Sequence, residues 1–217
     1  MKNYLAPSIL SADFAHLGED IQHVKEAGAT CLHYDVMDGA FVPSISFGMP
    51  VLRSVRKITD LVLDVHLMIE KPERYIDEFV DCGADIITIH YEACEDLKGT
   101  LRRIRERGVK AGVVLKPNTP NSVLLEILDQ VDMILLMTVE PGFGGQAYIP
   151  SSTEKIKELR GMLEKRGLEV DIEVDGGIKK DNLSMVLEAG ANVIVAGSAI
   201  FAGDIEQNVK EFLHVME

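Results

Sequence analysis

The chain has 217 residues, 47 % of them hydrophobic, and carries a formal net charge of −13. That length supports a substantial core in one large domain or two small ones, and the charge argues against nucleic acid or an anionic membrane as a partner. No apolar run nears the roughly 18 residues of a membrane span, the N-terminus lacks the apolar core of a signal peptide, and three cysteines without CxxC spacing read as free thiols of a reducing, cytoplasmic compartment.

In chain order, the first β-branched apolar run is Leu5–Leu10, which carries Ser8 near its exit. An amphipathic helix over Asp13–Ala27 follows, with Ser11 as its expected N-cap and Gly28 as its stop. The second strand, Cys31–Val36, leads into Met37-Asp38-Gly39. Alternate strand side chains share a face, so Cys31, His33, Asp35 and Met37 point one way, and Leu32, Tyr34 and Val36 the other. A short helix at Pro50–Ile58 precedes the third strand, Leu61–Met68, which puts Asp64, His66 and Met68 on one face. Next come a helix at Pro72–Cys82, opened by proline and closed at Gly83, and a strand at Asp85–His90. A helix at Glu95–Arg107, a strand at Lys110–Leu115 and a helix at Asn121–Leu128 lead to the sixth strand, Met133–Met137. That strand exits into Glu140-Pro141-Gly142-Phe143-Gly144-Gly145-Gln146. The helix Pro150–Arg166, the strand Val170–Val174, the helix Lys180–Glu188, the strand Asn192–Ala196 and the helix Asp204–Val215 complete the chain.

Strict alternation of strands and helices calls for a parallel sheet with right-handed crossovers. Eight of each fit a single compact (β/α)8 TIM barrel over residues 1–217. A doubly wound open sheet is the alternative, but no GxGxxG follows the first strand.

Function in such a barrel collects where strands exit. There His33, Asp35, His66 and Asp175 form a set of two imidazoles and two carboxylates. Two readings fit: a site for one divalent ion among Zn, Fe(II), Mn and Co, or hydrogen-bonded polar groups filling the interior. Glycine dominates the last three exits: Gly142, Phe143, Gly144 and Gly145, then Gly176 and Gly177, then Gly197 and Ser198. Backbone N–H groups in such loops can hold a phosphate without arginine, although each loop alone also reads as a tight turn. Met37, Met68 and Met137 face inward near the exits, either as core filling or as an apolar lining over a reactive intermediate. His16, His23 and His214 fall on helices and read as surface residues. His90 ends a strand but completes no ligand pattern. Asp64 and Glu173 suit either support of the metal set or core ion pairing, and Asp38 reads as a turn residue.

These segments together resemble the ribulose-phosphate 3-epimerase family over nearly the whole chain. The matching stretches are Ala6-Pro7-Ser8-Ile9-Leu10-Ser11-Ala12-Asp13-Phe14, His33–Gly39 with Phe41-Val42-Pro43, Asp64–Met68, Glu140–Gln146 and Glu173–Ile178. The resemblance implies reversible epimerisation of D-ribulose 5-phosphate to D-xylulose 5-phosphate, and one metal held by His33, Asp35, His66 and Asp175. It implies Asp35 and Asp175 as the two acid/base groups. Ser8, His33, His66, Asp175 and the glycine loops become substrate contacts, and the three methionines a lining. The chain departs from the family at Ser44 and at Lys116, where asparagine is common. Epimerisation of a six-carbon ketose phosphate such as D-allulose 6-phosphate is the near alternative. An aldolase or decarboxylase using Lys116 and a non-catalytic sugar-phosphate binder are the remote ones. The expected partner is a small sugar phosphate, with assembly into a homo-oligomer left open.

Overall fold

The computed structural model describes residues 2–217. Eight parallel strands run β1 (Tyr4–Pro7), β2 (Cys31–Met37), β3 (Val62–Met68), β4 (Ile86–His90), β5 (Lys110–Leu115), β6 (Met133–Met137), β7 (Asp171–Asp175) and β8 (Val193–Ala196). They pair in the order β1-β8-β7-β6-β5-β4-β3-β2. A parallel bridge between Ser8 and His33 joins the two ends and closes the barrel. The (β/α)8 expectation therefore holds.

The helices are α1 (Leu17–Glu26), α2 (Met49–Ile58), α3 (Ile76–Asp81), α4 (Leu97–Glu106), α5 (Ser152–Arg166), α6 (Lys180–Glu188), α7 (Ser198–Phe201) and α8 (Ile205–Met216). None is long and apolar enough to cross a membrane. Outward strand residues such as Leu32, Tyr34, Val36, Leu63, Val65 and Leu67 form one core with the buried faces of these helices. Alternation is the cause: each strand sends every second side chain under the helical layer.

Two expectations need correction. The chain leaves β1 through Ser8 into a 3₁₀ turn at Ile9–Ser11, and α1 begins only at Leu17, with His16 at its N-cap. Ser11 therefore caps no helix. Between β5 and β6 the expected α-helix is a 3₁₀ turn, Asn121–Leu124, followed by turns. Leu124, Ile127 and Leu128 are buried there, at a spacing that serves a 3₁₀ path as well as an α-helix.

The barrel interior is layered. At its N-terminal end Ala6, Cys31, Ile86, Met133, Val193 and Val195 pack together. The register then aligns His33 with Asp64, Asp35 with His66, and Met37 with Met68. Above an apolar floor there is thus a polar layer, then the candidate site, then methionine.

A candidate metal and acid/base site at the barrel mouth

Parallel pairing brings the four candidates together because they lie at matching heights on neighbouring or facing strands. Asp175 ends β7 and Asp35 lies two residues before the end of β2, with His66 level with Asp35 across the β2–β3 register and His33 one step lower. Nε2 of His33 and Nδ1 of His66 are 3.3 Å apart. Oδ1 of Asp35 lies 3.3 Å from the first nitrogen and 3.4 Å from the second. Oδ2 of Asp175 lies 3.9 Å from each. Both imidazoles and Asp35 are buried, and Asp175 is partly open.

Proton accounting tests whether this set suits a cation. Nδ1 of His33 is 2.6 Å from Oδ2 of Asp64, so its N–H belongs on that side and Nε2 presents a lone pair. Two carboxylate oxygens and an imidazole lone pair then converge with His66 Nδ1, all within 4.8 Å of one another. Acceptors crowded without a donor need a positive charge between them. A divalent ion satisfies them, and mixed nitrogen and oxygen donors suit it. Without one, a proton must serve. Burial alone would lower the His33 pKa, yet Asp35, Asp64 and Glu173 raise it well above the usual imidazole range. The residues therefore fit a metal.

The two aspartates are pushed apart. Burial opposes ionisation of Asp35, but the two imidazoles beside it, His33 foremost, outweigh it and hold the carboxyl well below its ordinary range. Ser8 Oγ adds a 2.5 Å hydrogen bond to Oδ2. Asp175 goes the other way: burial and the charge of Asp35 raise its pKa. Two carboxyls in a common site are thus pushed in opposite directions, Asp175 up to about 6.

Below them, Glu173 and Asp64 complete the polar layer. Burial and the charge of Asp64 push the Glu173 carboxyl well above its usual range. Its Oε1 lies 3.4 Å from Nδ1 of His33.

A cleft opens above the aspartates. It is lined by Ser8, Asp35, Asp175, Met37, Met68, Met137, Gly142, Phe143, Gly144, Gly145, Gly176, Gly177 and Gly197. His33 and His66 lie beneath it with no exposed surface. Ser198, at the first position of α7, is outside the lining. No lysine or arginine lines the cleft. Two glycines are required by close approach. A Cβ on Gly177 (φ +68) would meet the backbone nitrogen of Tyr148 at 2.4 Å, and one on Gly176 (φ +120) would meet Val139 Cγ2 at 2.4 Å and Cβ at 2.9 Å.

Sequence reasoning missed several residues here. Ser11, Leu10, Val139, Pro141 and Gln146 also line the cleft, and Ser11 was nameable from its place beside Ser8. Thr138 donates to the carbonyls of Asp175 at 2.9 Å and Gly176 at 2.6 Å, which anchors the β7 exit. Nothing in its neighbourhood in sequence signals that role.

Comparison with known proteins bears on the family. The model of the "Ribulose-phosphate 3 epimerase family" matches residues 4–201. The ribulose-phosphate 3-epimerase of Bacillus subtilis (strain 168) is 55% identical over 198 residues, covering 91% of each chain. That of Escherichia coli (strain K12) is 49% identical over 203 residues, covering 93% of this chain and 90% of its own. In fold alone, a tryptophan synthase alpha-subunit variant from Pyrococcus furiosus superposes with a TM-score of 0.73 at 17% identity, covering 99% of this chain and 100% of its own.

Proposed function

The chain belongs to the ribulose-phosphate 3-epimerase family, and from that premise we propose that it interconverts D-ribulose 5-phosphate and D-xylulose 5-phosphate by a two-aspartate proton exchange at C3. It is an isomerase acting on carbohydrate phosphates. The observation that carries the mechanism is the placement of two carboxyls, Asp35 from β2 and Asp175 from β7, in the lining of one cleft, with their surroundings pushing the two pKa values in opposite directions.

Inverting a carbon beside a carbonyl requires a proton to leave one face and another to arrive on the opposite face. Ionised Asp35, held by Ser8 Oγ, is poised to accept the first. Protonated Asp175 delivers the second, and the reverse reaction exchanges their roles. The intermediate between the two transfers is an enediolate. His33, Asp35, His66 and Asp175 would hold one divalent ion, which supplies Lewis-acid charge for oxygens gaining negative charge. The exits of β6, β7 and β8 offer backbone N–H groups to the phosphate, and pinning that end places C3 between the carboxyl groups. Met37, Met68 and Met137 line the cleft as apolar, polarizable surface that keeps water from the carbanion.

We read residues 1–217 as one catalytic domain and, from the free thiols of Cys31, Cys82 and Cys94, place it in the cytoplasm. The net charge leaves nucleic acid and anionic membrane out of this reading.

Solvent deuterium should enter C3 of ribulose 5-phosphate with the wild type. Asp35→Asn and Asp175→Asn should each lose turnover by at least about a thousandfold, within the range of general acid–base catalysis combined with loss of a ligand. Full activity in either variant rejects the two-aspartate scheme. Turnover of allulose 6-phosphate but not ribulose 5-phosphate rejects the five-carbon substrate.

A further inference from the structure

The bonding around His66 extends beyond the four-residue set. His66 aims Nδ1 at Asp35, while its Nε2 lies 2.9 Å from Nε2 of His90, at the end of β4. The two rings are stacked with centroids 5.1 Å apart. Nδ1 of His90 lies 3.3 Å from Oε2 of Glu92. The other oxygen of Glu92 accepts the backbone N–H of Lys116 at 2.9 Å and the hydroxyl of Thr119. His90 is fully buried, and the Phe41 ring covers it at 4.7 Å.

Only one proton fits between the two Nε2 atoms. If His90 carried it, the lone pair on its own Nδ1 would face the Glu92 carboxylate, acceptor against acceptor. If His66 carries it, each link has one donor and one acceptor: His66 Nε2–H to His90 Nε2, and His90 Nδ1–H to Glu92. His66 Nδ1 is then left as a lone pair aimed at the acceptor cluster.

We propose that His90 and Glu92 are positioning residues that set the tautomer and orientation of His66, so that its Nδ1 is ready to ligate the divalent ion. The inference rests on the four-residue metal reading above. His33 needs no such relay, because Asp64 holds its Nδ1 directly. The two imidazoles are thus set through opposite nitrogens, His33 by a carboxylate inside the barrel and His66 by one anchored on the β5 exit loop. Partners of this kind are worth about 10–100-fold in metal affinity.

The test is titration of the metal-free protein with cobalt(II) and zinc(II) against a chromophoric chelator. His90→Leu should bind about 10–100-fold more weakly than wild type. His90→Gln, whose amide oxygen can still accept from His66, should bind within a few-fold of wild type. Long-range proton–nitrogen correlation on the zinc-loaded wild type should place the proton of His66 on Nε2 and that of His90 on Nδ1. That measurement decides the matter even if His90→Leu fails to fold. Equal affinity of His90→Leu and wild type, equal weakness of both variants, or a proton on Nδ1 of His66 overturns the relay alone. A wild type that binds neither ion overturns the four-residue reading and the relay with it.

Discussion

Ser8 stands where the barrel closes, paired with His33 through the backbone and bonded through its hydroxyl to Asp35. A hydrogen bond to a charged group is worth about 1.5–3 kcal/mol, so Ser8→Ala should lower the rate of C3 exchange roughly 10–100-fold. Deuterium wash-in measures this, with an unchanged circular dichroism spectrum as control. Glu92 is the residue to follow with pH. Burial alone would raise its pKa, but hydrogen bonds from His90, Thr119 and the Lys116 N–H hold it at about 2. A carboxyl depressed on folding stabilises the native state above its unfolded value near 4.5 and loses that contribution as pH falls toward about 2. The stability difference between wild type and Glu92→Gln should therefore be about 1–2 kcal/mol near pH 7, once solvent screening is allowed for. It should shrink steadily below about pH 4.5, as read by urea unfolding across that range.

At the scale of the element, the β5-to-β6 connection shows how a fold dispenses with a helix. Asn121 is fully buried at the head of its 3₁₀ turn and donates to the Lys155 carbonyl at 2.9 Å and to Glu158 at 2.7 Å. Lys155 in turn donates to the carbonyls of Lys116 and Pro117 at 2.7 and 3.2 Å. Helix α5 thus ties down a connection that has no helix of its own. Asn121→Ala removes both bonds and should cost about 1–3 kcal/mol of stability with the exchange rate unaltered, checked by denaturant unfolding beside the wash-in assay. The period of Leu124, Ile127 and Leu128 disclosed which side chains go inside but not which kind of turn puts them there, because local hydrogen bonding chooses between 3₁₀ and α paths of similar pattern.

Across the whole molecule, one site draws residues from strands far apart in sequence, so occupancy of that site should be felt by the entire fold. An ion present at about 100 times its Kd adds about 2.7 kcal/mol, which for a chain of this size raises Tm by roughly 5–10 °C. Zinc(II) should therefore shift the melting curve of the wild type and a chelator should reverse the shift. His66→Ala should show no such response, and a full shift in that variant would remove His66 from the ligand set.

Read alone, the sequence determined the eight strands and every intervening helix but the one expected between β5 and β6, the closed barrel, the family, and which side chains of β2, β3 and β7 face inward. Period and strand-exit position are local properties, written in consecutive residues. Only the tertiary structure decided heights and neighbours. The register that places Asp35 beside His66, the bridge that delivers Ser8 to His33, and the stacking of His90 on His66 all depend on how strands slide against one another. His90 looked idle in the sequence because its partner nitrogen is 24 residues away. Its place next to His66 follows from the parallel register of β4 beside β3, which is not recorded in the spacing of residues along one strand.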